Sequence, residues 1–435
     1  MSWTKEYKEK QVSLQQIFES HLTGNQKVYI GGLHTPNTII NEMLQRIRDG
    51  RLSGIDAWGN WINGHVTLNE TQVGPETFRY HTYFAGPNER AGMAAGCVAH
   101  IPVHFSDVNR MLREVGLDYA VVQMTPPDEN GYCNIGPLGF EPGGVQGAKH
   151  IIAQVNRNLP RVFGDSHDYH VSQIDAFLLQ DEELEDIVVP DPTPEELKVA
   201  ELIVDRIPDG ACIQLGIGGI SNAIAKGLES KQHLGAFTEM YSDALVELQM
   251  KGVIDNSRKN YFPGKSVGGY STGSKRLYDF INQNPEVYFT SYETVCNPEC
   301  IAKNDNLMSL NTAVSIDLTG QVCAESIGPR QYSASGGQMN FVQGVKNSKG
   351  GMSFIAVTSV AHTKKGDVSK IVPMLAQGSA ITSLRNDVQY IATEYGVADL
   401  RWADVPTRAK RLISIAHPDF RDELAFEAKK MGILF

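Results

Sequence analysis
Ala211-Cys-Ile-Gln-Leu-Gly-Ile-Gly-Gly-Ile-Ser221 is the stretch on which the fold turns. The apolar run Ala211 to Leu215 predicts a strand. The glycines predict a tight turn, and Ser221 the cap of a helix reaching about Leu228. A strand passing through glycines into a helix opens a βα unit. Glycines let a backbone approach a ligand, and a helix start offers free N–H groups to an anion. Ser221 stands where a dinucleotide fingerprint needs its third glycine, and no ribose-binding acid follows a second strand. Residue chemistry alone leaves ligand contact and a plain tight turn both open.

Downstream, Leu234 to Phe237 predicts the next strand, and one carboxylate, Glu239, stands where that run stops. A second glycine turn, Ser335-Gly-Gly-Gln-Met-Asn-Phe341, lies further on. Most glutamates are solvated surface groups. The carboxyl end of a strand in an open sheet is where such a group meets ligands. A carboxylate between two glycine loops suggests a nucleophile facing a large anionic substrate.

Upstream, residues 5–22 read as one helix, Val28 to Gly32 as a strand entering a glycine turn, and Thr38 to Arg48 as a helix. Strand-like runs recur at 54–58, 82–85, 98–101, 119–124, 150–155 and 176–179, with a helix at 106–115. Further strands are expected at 287–290, 313–318, 353–360, 389–393 and 412–415. Alternating strands and helices predict an α/β architecture with largely parallel sheets. The acidic Asp181-Glu-Glu-Leu-Glu-Asp186 and the proline-rich 190–194 mark a boundary, giving domains 1–190 and 191–435. Thr193 with Glu196 reads as a capping box, starting an amphipathic helix of about four turns.

A length of 435 residues suits two domains. The net charge of −11 speaks against a nucleic-acid surface. No apolar run approaches the ~20 residues of a membrane span, and the charged start is no signal peptide. A cytoplasmic protein is expected. Among six cysteines, Cys296 and Cys300 are four apart without a second zinc-spaced pair, so free thiols and no metal are expected. His100 and His104 flank Pro102 and share no helical face. Pro263-Gly-Lys-Ser266 fails as a phosphate loop because Lys259 replaces the required glycine. Gly269-Tyr-Ser-Thr-Gly273 matches a nucleophile elbow at Ser271, with His362 or His417 and Asp317 or Asp387 available. Its lead-in is poor strand material.

Together, Gln214-Leu-Gly-Ile-Gly-Gly219, Thr238-Glu-Met240, Asn311 to Gln321, Gly336-Gly-Gln-Met-Asn-Phe341, Thr393 to Leu400 and Ala416 to Arg421 resemble the acetyl-CoA hydrolase/transferase family of class I CoA-transferases. The likeness is nearest to 4-hydroxybutyrate and butyrate:acetate CoA-transferases. Pro126 to Cys133 and Ala153 to Asn156 extend it into the first half. The resemblance implies two open α/β domains with the active site in the cleft between them, and Glu239 as nucleophile. It implies coenzyme A contacts at Gln214, Leu215, Gly216, Ile217, Gly218, Val314, Gly337 and Lys364. Gly219, Gly336, Gln338 and Asn340 are candidate oxyanion or substrate contacts. Asn340 stands where the family pattern has Asp, which bears on acceptor choice.

The implied reaction exchanges CoA between a short-chain acyl-CoA (4-hydroxybutyryl, butyryl or propionyl) and acetate through a glutamyl-CoA thioester. Acyl-CoA and short-chain carboxylates are then substrates, no cofactor is permanently bound, and a homo-oligomer, a dimer, is implied. The rivals are acyl-CoA hydrolysis, a Ser271 hydrolase and a non-enzymatic acyl-CoA-binding protein.

Overall fold
Apolar runs alternating with amphipathic segments build large parallel sheets, the α/β class the sequence predicts. The computed structural model describes residues 2–64, 66, 68, 74, 76–187 and 190–435. The chain divides into two compact units: Met1–Ile187 with Gly269–Thr294, and Val188–Gly268 with Val295–Phe435. The segment Gly269–Thr294 thus groups with the first unit although it comes late in the chain.

The first unit holds β1 (Gln26–Ile30), β2 (Ile55–Gly59), β3 (Phe78–Thr82), β4 (Val98–His100), β5 (Tyr119–Met124), β6 (His150–Val155) and β7 (Ala176–Leu179). Their order is β7-β6-β5-β1-β2-β3-β4, with every pairing parallel. β5 and β6 are buried almost end to end and are mainly apolar, interrupted by the buried Gln123 and Gln154. Strands covered on both faces have that pattern. β2 and β3, on the other side of β1, alternate buried and more exposed positions. Helix α1 (Asn37–Arg48) packs Ile39, Ile40, Met43, Leu44 and Ile47 inward.

The second unit contains β8 (Cys212–Leu215), β9 (Gly235–Met240), β10 (Leu307–Thr312), β11 (Met352–Ala356), β12 (Tyr390–Thr393) and β13 (Gly396–Asp399). They lie in the order β13-β12-β11-β10-β8-β9. These pairings are parallel except β12 with β13, which closes a hairpin. Helices α2 (Pro194–Val204), α3 (Gly219–Leu228), α4 (Gln338–Val345), α5 (Val405–Ile415) and α6 (Pro418–Lys430) belong to this unit. The α2 capping box forms: Thr193 Oγ1 accepts from Glu196 N, and Glu196 Oε2 accepts from Thr193 N at 2.9 Å.

Several local expectations are corrected. Residues 5–22 form two helices, Trp3–Glu9 and Leu14–Ser20, because Ser13 and Gln16 make a capping box that starts the second. The run expected at 82–85 follows the strand Phe78–Thr82 rather than forming one. The strand expected over 313–318 is shorter, Ser315–Asp317, and the longer sheet strand Leu307–Thr312 precedes it. Residues 412–415 are the last turn of α5, not a strand. The poor-looking lead-in to Ser271 is a buried strand, Ser266–Tyr270. Ser221 is not a helix cap: α3 begins at Gly219, with Gly218 capping at a φ of 104°, which favours glycine.

Candidate functional site
Glu239 is the penultimate residue of β9, so the strand continues one residue past it. The buried Phe237 and Thr238 anchor the approach. Thr238 Oγ1 donates to the Leu215 carbonyl at 3.3 Å, tying β9 to the start of the Gly216 loop. Glu239 Oε2 accepts a hydrogen bond from the Gly337 backbone N–H at 2.6 Å. Gly337 caps α4, so the carboxylate meets a helix N-terminus, where backbone partial charges favour an anion.

Two effects compete at this carboxylate. The residue retains some solvent exposure, but protein crowds its carboxyl group. Burial raises the Glu239 pKa to about 7, and the Gly337 hydrogen bond opposes that rise. Near neutral pH the group therefore divides between a proton acceptor and a protonated acid. No salt bridge involves Glu239 among the described residues. A methyl group built on Gly337 would strike the Glu239 carboxylate, and would lie 2.9 Å from Cys296 Sγ. Cys296 is fully buried, and its thiol pKa is pushed well up, first by burial and then by the Glu239 charge.

The glycine loop follows β8, the strand beside β9. Gln214 is buried, and its side chain is committed to the sheet. Its Oε1 accepts from Ser309 Oγ at 2.7 Å, Leu310 N at 3.1 Å and Asn311 Nδ2 at 3.2 Å. Gly216 N donates to Leu310 O, Ile217 is exposed and Gly218 has open space where a Cβ would stand. A Cβ on Gly219 would collide with the Glu196 carboxylate, so an acidic group already stands at this helix start.

In the second glycine turn Gly336 has a φ of 54°, and Gln338 Nε2 donates to Ser383 Oγ at 3.2 Å. Asn340 is buried on the first turn of α4. Val314 is half-buried and its N–H bonds to Cys323 O. Lys364 stands exposed at the tip of the hairpin Val360–Thr363 and Gly366–Ser369. No contact ties it to Glu239 among the described residues.

The structure therefore joins Glu239 to Gly337 directly and to Leu215 through Thr238. Cys296 is the neighbour that sequence reasoning missed. Its spacing to Cys300 carries only a metal test, and nothing local signals proximity to Glu239. No group of three or more His, Cys, Asp or Glu side chains converges on a metal-sized site among the described residues. No helix of the described residues is long and apolar enough to cross a membrane.

Ser271 is fully buried, and the histidine engaging it is His34, which bonds to its backbone. A groove of about 1110 Å³ in the first unit includes Arg157, Arg161 and Lys275 in its lining. Each of these cations already pairs with an aspartate, so the groove presents them neutralised.

Comparison with known proteins places this geometry in context. Residues 1–190 match the acetyl-CoA hydrolase/transferase N-terminal domain, and residues 273–428 match the C-terminal domain of the same name. The 4-hydroxybutyrate coenzyme A transferase of Clostridium kluyveri is 38% identical over 437 residues, covering 99% of this chain and 100% of that protein. The butyryl-CoA:acetate CoA-transferase of Anaerostipes caccae is 33% identical over 446 residues, covering 100% and 99%. The crystal structure of RipA from Yersinia pestis superposes with a TM-score of 0.93 at 32% identity over the full length of both chains. The chain belongs to the acetyl-CoA hydrolase/transferase family.

Proposed function
We propose that this protein is a CoA-transferase that exchanges CoA between a short-chain acyl-CoA and a carboxylate such as acetate, with Glu239 as the covalent carrier. The observation carrying this reading is the Glu239 carboxylate held on the Gly337 N–H at the start of α4. The short-chain substrate class follows the names of two relatives, a 4-hydroxybutyrate coenzyme A transferase and a butyryl-CoA:acetate CoA-transferase.

In an exchange between two thioesters of similar energy, a carboxylate carrier conserves the thioester energy, because its own CoA thioester is of the same kind. Glu239 Oε1 attacks the donor thioester carbonyl, and the C–S bond breaks to leave an acyl-glutamyl anhydride and CoA thiolate. The thiolate attacks the glutamyl carbonyl, the anhydride C–O bond breaks, and the first acid departs as its carboxylate. The glutamyl-CoA thioester remains. The acceptor carboxylate then reverses both steps and leaves as the new acyl-CoA.

Each attack on the glutamyl carbon loads charge onto the oxygen that faces Gly337. Its N–H is already in place there, and a single such donor is worth on the order of a hundredfold in rate. The Gln214–Gly219 loop, Val314 and Lys364 are proposed contacts for the CoA body, whose remote binding energy assists the reacting carbonyl. Gly336, Gln338 and Asn340 are proposed to border the acid substrate.

Glu239→Ala is expected to abolish exchange, and Glu239→Asp to lose most of it by withdrawing the carboxylate one methylene. Incubation with donor acyl-CoA alone, followed by hydroxylamine or borohydride, should modify Glu239 in the intact enzyme. Full activity in purified Glu239→Ala would refute the carrier role. Acetate-dependent consumption of acyl-CoA, compared with thiol release without acceptor, separates transfer from hydrolysis.

A further inference from the structure
Cys296 lies just ahead of the short helix Pro298–Ala302, and no part of the mechanism above uses it. It is fully buried and shares one face of Gly337 with the Glu239 carboxylate. That face has room for a hydrogen and no more. Three groups thus form a closed corner: the Gly337 N–H, the Glu239 carboxylate and the Cys296 thiol.

We propose that Cys296 is a positioning residue for Glu239: its thiol fills the space beside the carboxylate, excludes water there and holds the carboxylate on the Gly337 N–H. The inference rests on the carrier role of Glu239.

The choice of sulfur has a physical reason. A nucleophilic carboxylate must be ionised, yet strong hydrogen bonds to it stabilise the resting anion and blunt its attack. A hydroxyl or a water in this corner would be a strong donor. A thiol is a weak donor, and when buried it behaves as a small, polarisable apolar group. It occupies the corner without adding the hydration that a carboxylate otherwise draws to itself. Being buried beside a carboxylate also keeps the thiol protonated, so it does not compete as a nucleophile for the acyl group carried by Glu239.

Among the described residues, the Gly337 N–H and burial act on the proton affinity of Glu239, and the Glu239 charge acts in turn on the Cys296 thiol.

The test is the pH profile of kcat/KM for acyl-CoA in Cys296→Ser and Cys296→Ala, with Cys300→Ser as a control outside the corner. Serine supplies a strong donor to the anion and should move the acid limb about one unit lower. Alanine admits water beside the carboxylate and should move the limb the same way by less. Cys300→Ser should leave it in place. Infrared titration of the ligand-free enzyme, differenced against Glu239→Gln, reads the same carboxyl without turnover and should shift in parallel. Profiles and titrations of both Cys296 variants that superimpose on wild type would overturn the inference. Exchange retained in Glu239→Gln would instead overturn the carrier role, so the two failures are distinguishable.

Discussion

Gly337 has a φ of −93°, a backbone any residue can adopt, so its need for glycine is not conformational. Its α-carbon lies against the Glu239 carboxylate and the Cys296 thiol, and a side chain there displaces one or both. Gly337→Ala should lower kcat about a hundredfold, the scale of a lost oxyanion donor, and should also lower the melting temperature, because the added methyl overpacks this corner. Steady-state kinetics and thermal melts check both halves. Glu239 itself has a pH signature. Attack needs the anion, so kcat/KM should fall as pH drops below about 7. Its stability effect has the opposite sense to a paired carboxylate. The folded pKa lies above the ordinary 4.5, so the folded state binds the extra proton between those values. Stability is then lost as pH rises from about 4.5 towards 7, and ionised Glu239 is a burden above that window. Glu239→Gln should melt higher than wild type at pH 8 and level with it at pH 4. A melting difference independent of pH would contradict this.

Helix α1 shows how an element depends on a residue far along the chain. Its cap position is Pro36, which offers no side-chain acceptor. Glu182 supplies one: Oε1 accepts from Thr38 N at 2.8 Å and Thr38 Oγ1 at 2.6 Å, and Oε2 accepts from Asn37 N at 3.2 Å. Gln123 Nε2, at 3.1 Å from Oε2, steadies the same carboxylate. Sequence reading places Glu182 in an acidic boundary segment, where it counts only as charge. Glu182→Ala should cost about 1–2 kcal/mol, the scale of a helix cap with its dipole interaction, measured by urea unfolding. The α2 box at Thr193 was legible because both partners are three residues apart, and only local geometry had to be right. The opposite case is Leu412-Ile-Ser-Ile415. A short apolar run suits a strand and a buried helical turn equally, and its packing as the end of α5 decides between them.

At the scale of the molecule, the first unit is discontinuous in sequence. The strand Val287–Phe289 pairs with Phe163–Gly164, and Asp165 accepts from Thr290 Oγ1 at 2.6 Å and Ser291 N at 3.0 Å. Tyr292 stacks on Phe105 with ring centroids 4.6 Å apart. A fragment comprising residues 1–187 alone lacks these partners. It should bind a hydrophobic dye and be cut rapidly by protease, whereas 1–187 linked to 269–294 should be protected. Equal protection of both fragments would show that the late segment is not part of that unit's core.

The sequence by itself determined the α/β class, the central parallel strands and the glycine loops, because these rest on short-range periodicity and turn chemistry. It also singled out Glu239, through the run that ends beside it and through motifs shared along the chain. Tertiary structure alone decided what touches that carboxylate. Gly337 lies 98 positions away from it, and Cys296 is also far along the chain. Contacts at that separation leave no periodic trace. The same holds for Glu182 on α1 and for the segment 269–294. A carboxylate's charge is written in the sequence, but its proton affinity depends on burial and on the groups that folding brings beside it.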